Sequence, residues 1–246
     1  MSETLDDASK SAFIAIARTA QVRDFGRIAD FLVRKGIKKL FHFTHISNLE
    51  SIVNDGIQTR QYLDYGERDY QVTDKDRLDN FTESISFSIG EPNRLLLPKK
   101  VHDFDGQLVL LEVSANSLLT QNFAAFPSNA ASGYFQNEIL SNPERYVGIR
   151  GLEGIYLNRE LRNKARLPID VPTDTQSEIL FFEQIAPDKI QKVHIPSNFP
   201  ATFRATVDKL KSNNYGPQYE LVCECGLFSR QETVFRRYDI GWENNG

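Results

Sequence analysis

Cysteine is nearly missing from this chain: its 246 residues include two, Cys223 and Cys225, with one residue between them. A bridge across that spacing would be strained, so a disulfide scaffold is excluded. No cluster of His or Cys stands nearby to complete a zinc site, and no metal is expected. Long apolar runs are missing too. Residues 108–111 form one of the longest, far short of the roughly 20 needed to span a bilayer, so no membrane insertion is expected. The first 20 residues place acids ahead of their apolar stretch and lack the basic start of a secretory signal, which makes a cytoplasmic location the expectation. Basic charge is not in surplus either: 29 Lys+Arg face 33 Asp+Glu, a net charge of −4. That balance argues against a protein that coats nucleic acid. No P-loop, Gly-rich dinucleotide fingerprint or G-x-S-x-G elbow occurs, which removes the usual support for P-loop NTPases, Rossmann oxidoreductases and α/β-hydrolases.

What is present is an ordinary globular composition, 40% hydrophobic and 25% charged. Over residues 6–35 apolar residues recur at three- and four-residue spacing, which predicts an amphipathic helix or helix pair closed by Gly36. Lys39-Leu40-Phe41-His42-Phe43 reads as a strand entering the core. Ser47, with Glu50 three residues on, caps a helix that ends at Asp55-Gly56. Residues 58–83 are polar, with seven acids against three bases between Asp64 and Glu83, and are expected to form a long surface loop. Strands are expected at 84–89, 107–113, 178–182 and 190–195, a helix near 203–211, and a closing strand pair near 219–223 and 233–238. Residues 122–174 are expected to be largely irregular. The fold class is therefore α+β, with residues 1–36 a helical extension packed on a domain spanning 37–246.

Chemistry concentrates on a few strands. Side chains alternate with period two, so His42 and Thr44 share a face, as do Ser84, Ser86 and Ser88, and as do Gln176 and Glu178. Polar faces pointing inward need partners, and a ligand cleft is one way to supply them. Each feature also has an ordinary explanation: a lone histidine at a strand end is usually structural, and alternating serines usually mark a solvated sheet face. Composition and spacing stop at an α+β domain with enzyme-like features.

The ordered blocks go further. Phe41-His42-Phe43-Thr44-His45 with Asn48-Leu49-Glu50-Ser51-Ile52 and Asp55-Gly56-Ile57 resembles the opening of the DarT family, DNA ADP-ribosyltransferase toxins of bacterial toxin–antitoxin systems. Arg77-Leu78-Asp79, Ser84-Ile85-Ser86-Phe87-Ser88-Ile89 and Pro92-Asn93 resemble its second block. Phe126-Pro127-Ser128-Asn129-Ala130-Ala131-Ser132 and Pro172-Thr173-Asp174-Thr175-Gln176-Ser177-Glu178-Ile179-Leu180 resemble the third and fourth, and look closer to the guanine-modifying branch than to the thymine-modifying one. The resemblance covers roughly residues 40–195.

It implies an ADP-ribosyltransferase fold that splits NAD⁺, without a metal, and attaches ADP-ribose to a base, guanine by these blocks, in single-stranded DNA, blocking replication. His42 and Thr44 take NAD⁺-binding roles, with Ser86 and Ser88 beside them. Arg77 contacts the dinucleotide and contributes to catalysis, and Glu178 is the catalytic carboxylate. Gln176 and Asn129 face the acceptor. Residues 145–166 carry a local surplus of four positive charges, and Arg159, Arg162 and Arg166 within them are expected to bind the acceptor strand. The tail, where Arg230, Arg236 and Arg237 alternate with Phe228, Phe235, Tyr238 and Trp242, is a second stacking-and-phosphate candidate. A macrodomain antitoxin that reverses the modification is the implied partner. Transfer to RNA or protein, or a catalytically inactive nucleic-acid-binding module of the same fold, are the alternatives.

Overall fold

The computed structural model describes residues 5–73, 81–196, 201, 204, 205, 208 and 220–224. Asp6 opens the first helix by accepting the Ser9 amide at 2.8 Å, and Gly36, at φ 66°, closes it, so α1 runs as a single helix over Asp7–Lys35. The one-helix outcome resolves the predicted helix or helix pair: Gly26 sits in an open position and breaks nothing. The chain then forms β1 (Lys39–His45), a short 3-10 turn (Ile46–Asn48), α2 (Leu49–Asp55), α3 (Arg60–Tyr65), β2 (Ile85–Ile89), α4 (Leu96–Asp103) and β3 (Leu108–Ser114). After these come α5 (Ser117–Thr120), β4 (Phe123–Phe126), α6 (Gly133–Ser141), α7 (Gly148–Gly154), α8 (Arg159–Ala165), β5 (Glu178–Phe181), β6 (Ile190–Pro196) and β7 (Glu220–Glu224).

Among the described residues seven strands form one sheet in the order β4-β5-β2-β1-β3-β6-β7. Neighbours are antiparallel except β6 and β7, which run parallel. The α+β class is thus as expected. Two stretches differ from the expectation. The predicted loop at 58–83 contains α3, started by Thr59, whose hydroxyl accepts the Tyr62 amide. The predicted irregular stretch at 122–174 contains β4 and α6 to α8. These elements are four to nine residues long, too short to show periodicity. Phe123–Phe126 is buried along its whole length, so it shows no polar alternation either. Most of the helix expected near 203–211 and the strand near 233–238 lie outside the described residues.

Alternation along the strands divides the apolar side chains. Leu40, Ile85, Phe87, Val109, Leu111, Ile179 and Phe181 join one cluster with α2, α7 and the C-terminal half of α1. Ala124, Phe126, Leu180 and Phe182 join a second with Phe13, Ala17 and Ala20 of α1. Phe41 and Leu110 pack with Leu97 of α4 in a third, smaller cluster. The helix expected to be an extension therefore supplies side chains to both large clusters. It is also tied by charge. Asp24, 2% exposed on its side chain, accepts the Ile149 amide at 3.2 Å and pairs with Arg23 and Arg27. Burial pushes its carboxyl up, but the Arg23 hydrogen bond, the Ile149 amide and Arg27 together hold it below its ordinary value. Gly148, at φ 55°, makes room for this contact, since a Cβ there would lie 2.6 Å from Asp24 Oδ2. No helix of the described residues is long and apolar enough to cross a membrane.

Phe13 is 1% exposed and touches the rings of Phe81, Phe126 and Phe182. Phe13→Ala is expected to cost about 3–5 kcal/mol in urea denaturation. A loss below about 1 kcal/mol would show that the helix is peripheral to the fold.

Candidate active site

The site begins where two neighbouring strands part. β1 and β2 are paired only at Leu40↔Ile89 and Phe41↔Ser88. Beyond that point β1 stays with β3 as far as His45, while β2 stays with β5 at Ile85↔Phe181, Ser86↔Leu180 and Phe87↔Ile179. Backbone groups freed by the parting need other partners, and the His42 ring supplies one: its Nδ1 lies 2.9 Å from the Ser86 carbonyl oxygen. A carbonyl only accepts, so Nδ1 carries the proton and the ring is fixed as a bridge across the opening.

The opening leads into a cavity of about 490 Å³, inside the range of roughly 300–1,000 Å³ usual for small-molecule sites. His42, Thr44, Ser86, Gln176 and Glu178 line it, and Lys99 and Lys100 of α4 contribute cationic groups. Glu178 opens β5 on the face that also carries Leu180, diagonal to Ser86 across the strand pair. One of its carboxylate oxygens accepts from the Ser86 hydroxyl, and the other accepts from the Ala130 amide at 3.1 Å. Its direction is thus set from two sides, by β2 and by the turn after β4.

The cavity's outer wall is the 66–73 segment after α3. Arg68 pairs with Asp55 at 2.7 Å, the Asn48 side chain bonds the Gln71 backbone, and Lys100 Nζ donates to the Thr73 carbonyl at 2.7 Å. Tyr70 in this segment donates to Asp64 at 2.5 Å; burial, together with this Asp64 contact, pushes its phenol above the ordinary value, against an opposing Arg60.

The structure brings His42, Thr44, Ser86, Ser88, Asn129, Gln176 and Glu178 to this one cavity. Some of these groups also hold local geometry. Ser88 Oγ accepts the Asn93 amide at 3.1 Å, and Asn129 Oδ1 accepts the Ala131 amide at 2.9 Å. Ser84, expected to open this strand, lies one residue before β2 and turns its hydroxyl to the Phe81 carbonyl at 2.9 Å. Arg77 and the aromatic-basic tail lie outside the described residues. The basic segment is not part of the cavity wall. Arg159 is exposed on α8, and Arg166, exposed at φ 54°, ends that helix. Arg162 is engaged in holding the chain: its guanidinium donates to the carbonyls of Val171 at 2.7 Å and Pro168 at 2.8 Å, and lies 5.1 Å from the centre of the Tyr156 ring. Tyr156 donates in turn to the Asp170 carbonyl at 2.9 Å, and burial drives its phenol far up, only partly offset by Arg162. The 157–173 loop is therefore stapled by Arg162 before it reaches Gln176. Residues that the sequence reading passed over are Asn48, Arg60, Gln71, Lys99 and Lys100. Asn48 stood inside a block already singled out, whereas the two lysines have the pattern of a solvated helix face.

These features define the class: an α+β domain whose sheet parts over a ligand-sized polar cleft, with one doubly held carboxylate in its wall. A family model described as "ssDNA thymidine ADP-ribosyltransferase, DarT" matches residues 41–211, and the chain belongs to the DarT family. No curated protein matches it significantly. Among solved structures, Thermosipho africanus DarTG in complex with ADP-ribose is similar at 17% identity and TM-score 0.49, over 78% of this chain and 51% of that one. The chain thus spans about half the length of that relative. Thermus sp. 2.9 DarT in complex with NAD⁺ is similar at 12% identity and TM-score 0.46, over 78% of this chain and 97% of that one. The same protein in complex with ADP-ribosylated ssDNA gives 14% identity and TM-score 0.45, over 78% and 96%.

Arg162→Lys keeps the charge but loses the planar fork. It is expected to cost about 1–3 kcal/mol of stability, read as a lower melting temperature. An unchanged melt with weakened nucleic-acid binding would instead make Arg162 a surface contact.

Proposed function

We propose that this protein is an ADP-ribosyltransferase that cleaves NAD⁺ and transfers ADP-ribose to a nucleobase in single-stranded DNA. Membership of the DarT family supports the class of reaction. The observation that carries it to particular atoms is the Glu178 carboxylate, held by Ser86 and the Ala130 amide in the wall of a cavity that His42 and Thr44 also line.

The residues fit a dinucleotide co-substrate. Hydroxyl, imidazole and amide groups suit ribose and carboxamide contacts, and Lys99 and Lys100 suit a pyrophosphate. NAD⁺ supplies a ribose already joined to a cationic leaving group, nicotinamide. His42 and Thr44 position that half of the molecule on β1. Glu178 stabilises the positive charge that grows at the anomeric carbon as the bond to nicotinamide breaks. It then accepts the proton that the attacking base nitrogen gives up as the new bond to the same carbon forms. Ser86 keeps the carboxylate aimed through both events. Arg77 is assigned to the dinucleotide by its place in the second family block.

Gln176 lies in the turn just before β5, two residues ahead of Glu178, and with Asn129 it is assigned to the acceptor base. The base must be single-stranded or flipped to reach this depth. The family description names thymidine. The Asn129-Ala130-Ala131-Ser132 and Pro172-Thr173-Asp174 blocks favour guanine, which is the base we assign. Exposed Arg159 and Arg166 give the approaching strand phosphate contacts, and a macrodomain that reverses the modification is the partner the family resemblance implies.

Glu178→Gln keeps the shape of the side chain and its place beside Ser86. It is expected to lower transfer by about 10²–10⁴-fold, measured as ADP-ribose mass gain on oligonucleotides containing a single dG or a single dT. Undiminished transfer by this variant would remove Glu178 from the reaction. Transfer to RNA alone would move the acceptor away from DNA.

A further inference from the structure

The side chain of Asn48 makes three hydrogen bonds, and they decide the orientation of its amide. The Gln71 N–H donates to Oδ1 at 2.8 Å, and Nδ2 donates to the Gln71 carbonyl at 2.8 Å and to Thr44 Oγ1 at 3.0 Å. An N–H donor and a carbonyl acceptor on one residue admit only one placement of oxygen and nitrogen, so the amide cannot be flipped. The pair with Gln71 has the form of a sheet rung, made by a side chain in place of a second strand. Asn48 is itself held where the 3-10 turn passes into α2, and its carbonyl accepts from the Ser51 hydroxyl at 2.9 Å.

The contact with Thr44 has a chemical consequence. Nδ2 can only donate, so Thr44 Oγ1 must accept there. The hydroxyl proton of this 6% exposed residue is then left for an acceptor in the cavity that Thr44 lines. We propose that Asn48 is a positioning residue of the co-substrate site: it sets Thr44 as a hydrogen-bond donor toward the bound dinucleotide and clasps the 66–73 segment as the cavity's outer wall. The inference rests on the reading of this cavity as the NAD⁺ site. Asparagine is the residue that meets all three demands. Aspartate keeps the bond from Gln71 N–H but loses both donors and places charge against the Gln71 carbonyl, and glutamine is one methylene too long for the rung.

The test is calorimetric binding of NAD⁺ to the full chain, with steady-state transfer measured beside it, for the parent protein, N48D, T44V and the double variant. N48D is expected to weaken NAD⁺ binding by about 10–100-fold and to raise KM for NAD⁺ in step, while kcat stays within about threefold. In the T44V background N48D is expected to cost clearly less, because the two residues act through one bond. A melt of each variant checks folding. If N48D does not fold, Q71P removes the Gln71 N–H from the other side of the rung and is read in the same way. Binding by folded N48D within twofold of the parent overturns the role of Asn48. Failure of the parent protein to bind NAD⁺ overturns the reading of the cavity, and this inference with it.

Discussion

Two adjacent strands that stop pairing after two residues are the constraint on which the rest of this molecule depends. β1 and β2 must both remain in the sheet, because each carries core side chains, yet past Phe41 and Ser88 they follow different partners. A gap in a sheet exposes donors and acceptors that would be costly if buried without partners. Here the His42 ring takes up the Ser86 carbonyl, and the Thr44, Ser86 and Ser88 side chains line the cavity. The parting thus creates a polar cleft and satisfies part of it from within the two strands.

The carboxylate in that cleft shows how the surrounding fold is used. Glu178 is aimed by a serine from the neighbouring strand and by an amide from the turn after β4, so its direction depends on the β4-β5-β2 register. That register is backed by the aromatic cluster of Phe13, Phe81, Phe126 and Phe182. α1 supplies Phe13 and, through Asp24, anchors the start of α7 behind β4. A helix with no contact to the cavity is in this way part of what keeps the carboxylate still, since packed interiors transmit displacement.

The charge distribution fits the same division. The chain is acidic as a whole, its basic surplus lies in 145–166, and one member of that surplus, Arg162, is spent on the backbone of the loop that leads to Gln176. The cations in the cavity wall come from elsewhere: Lys99 and Lys100 of α4, Arg60 of α3 and Arg68 in the segment after it. A local count of charge therefore located a basic region but not which of its members meet solvent.

Much of the architecture and one side of the cavity, that of His42, Thr44, Ser86 and Glu178, was legible in the residues themselves. Local pattern and β propensity marked β1, β2 and β5, and alternation placed His42 with Thr44 and Ser86 with Ser88, because period two is a local property of an extended chain. Gln176, expected to alternate with Glu178 on one strand, lies instead in the turn before β5 and lines the cavity from there. The order of short motifs carried the family. What local pattern does not encode is which strand lies beside which, and where a pair separates. That depends on contacts between residues far apart in sequence, such as Ser86 with Glu178, Asn48 with Gln71 and Asp24 with Ile149. The short elements β4 and α6 to α8 were hidden for a local reason: four to nine residues are too few to show a period, and β4 is in addition buried along its whole length. The sequence by itself determined the candidate chemical groups and the faces that present them. Only the tertiary structure decided that β1 and β2 part to form one cavity, that Arg162 is a staple and that Asn48 joins the site, because each outcome depends on partners that meet only when the chain is folded.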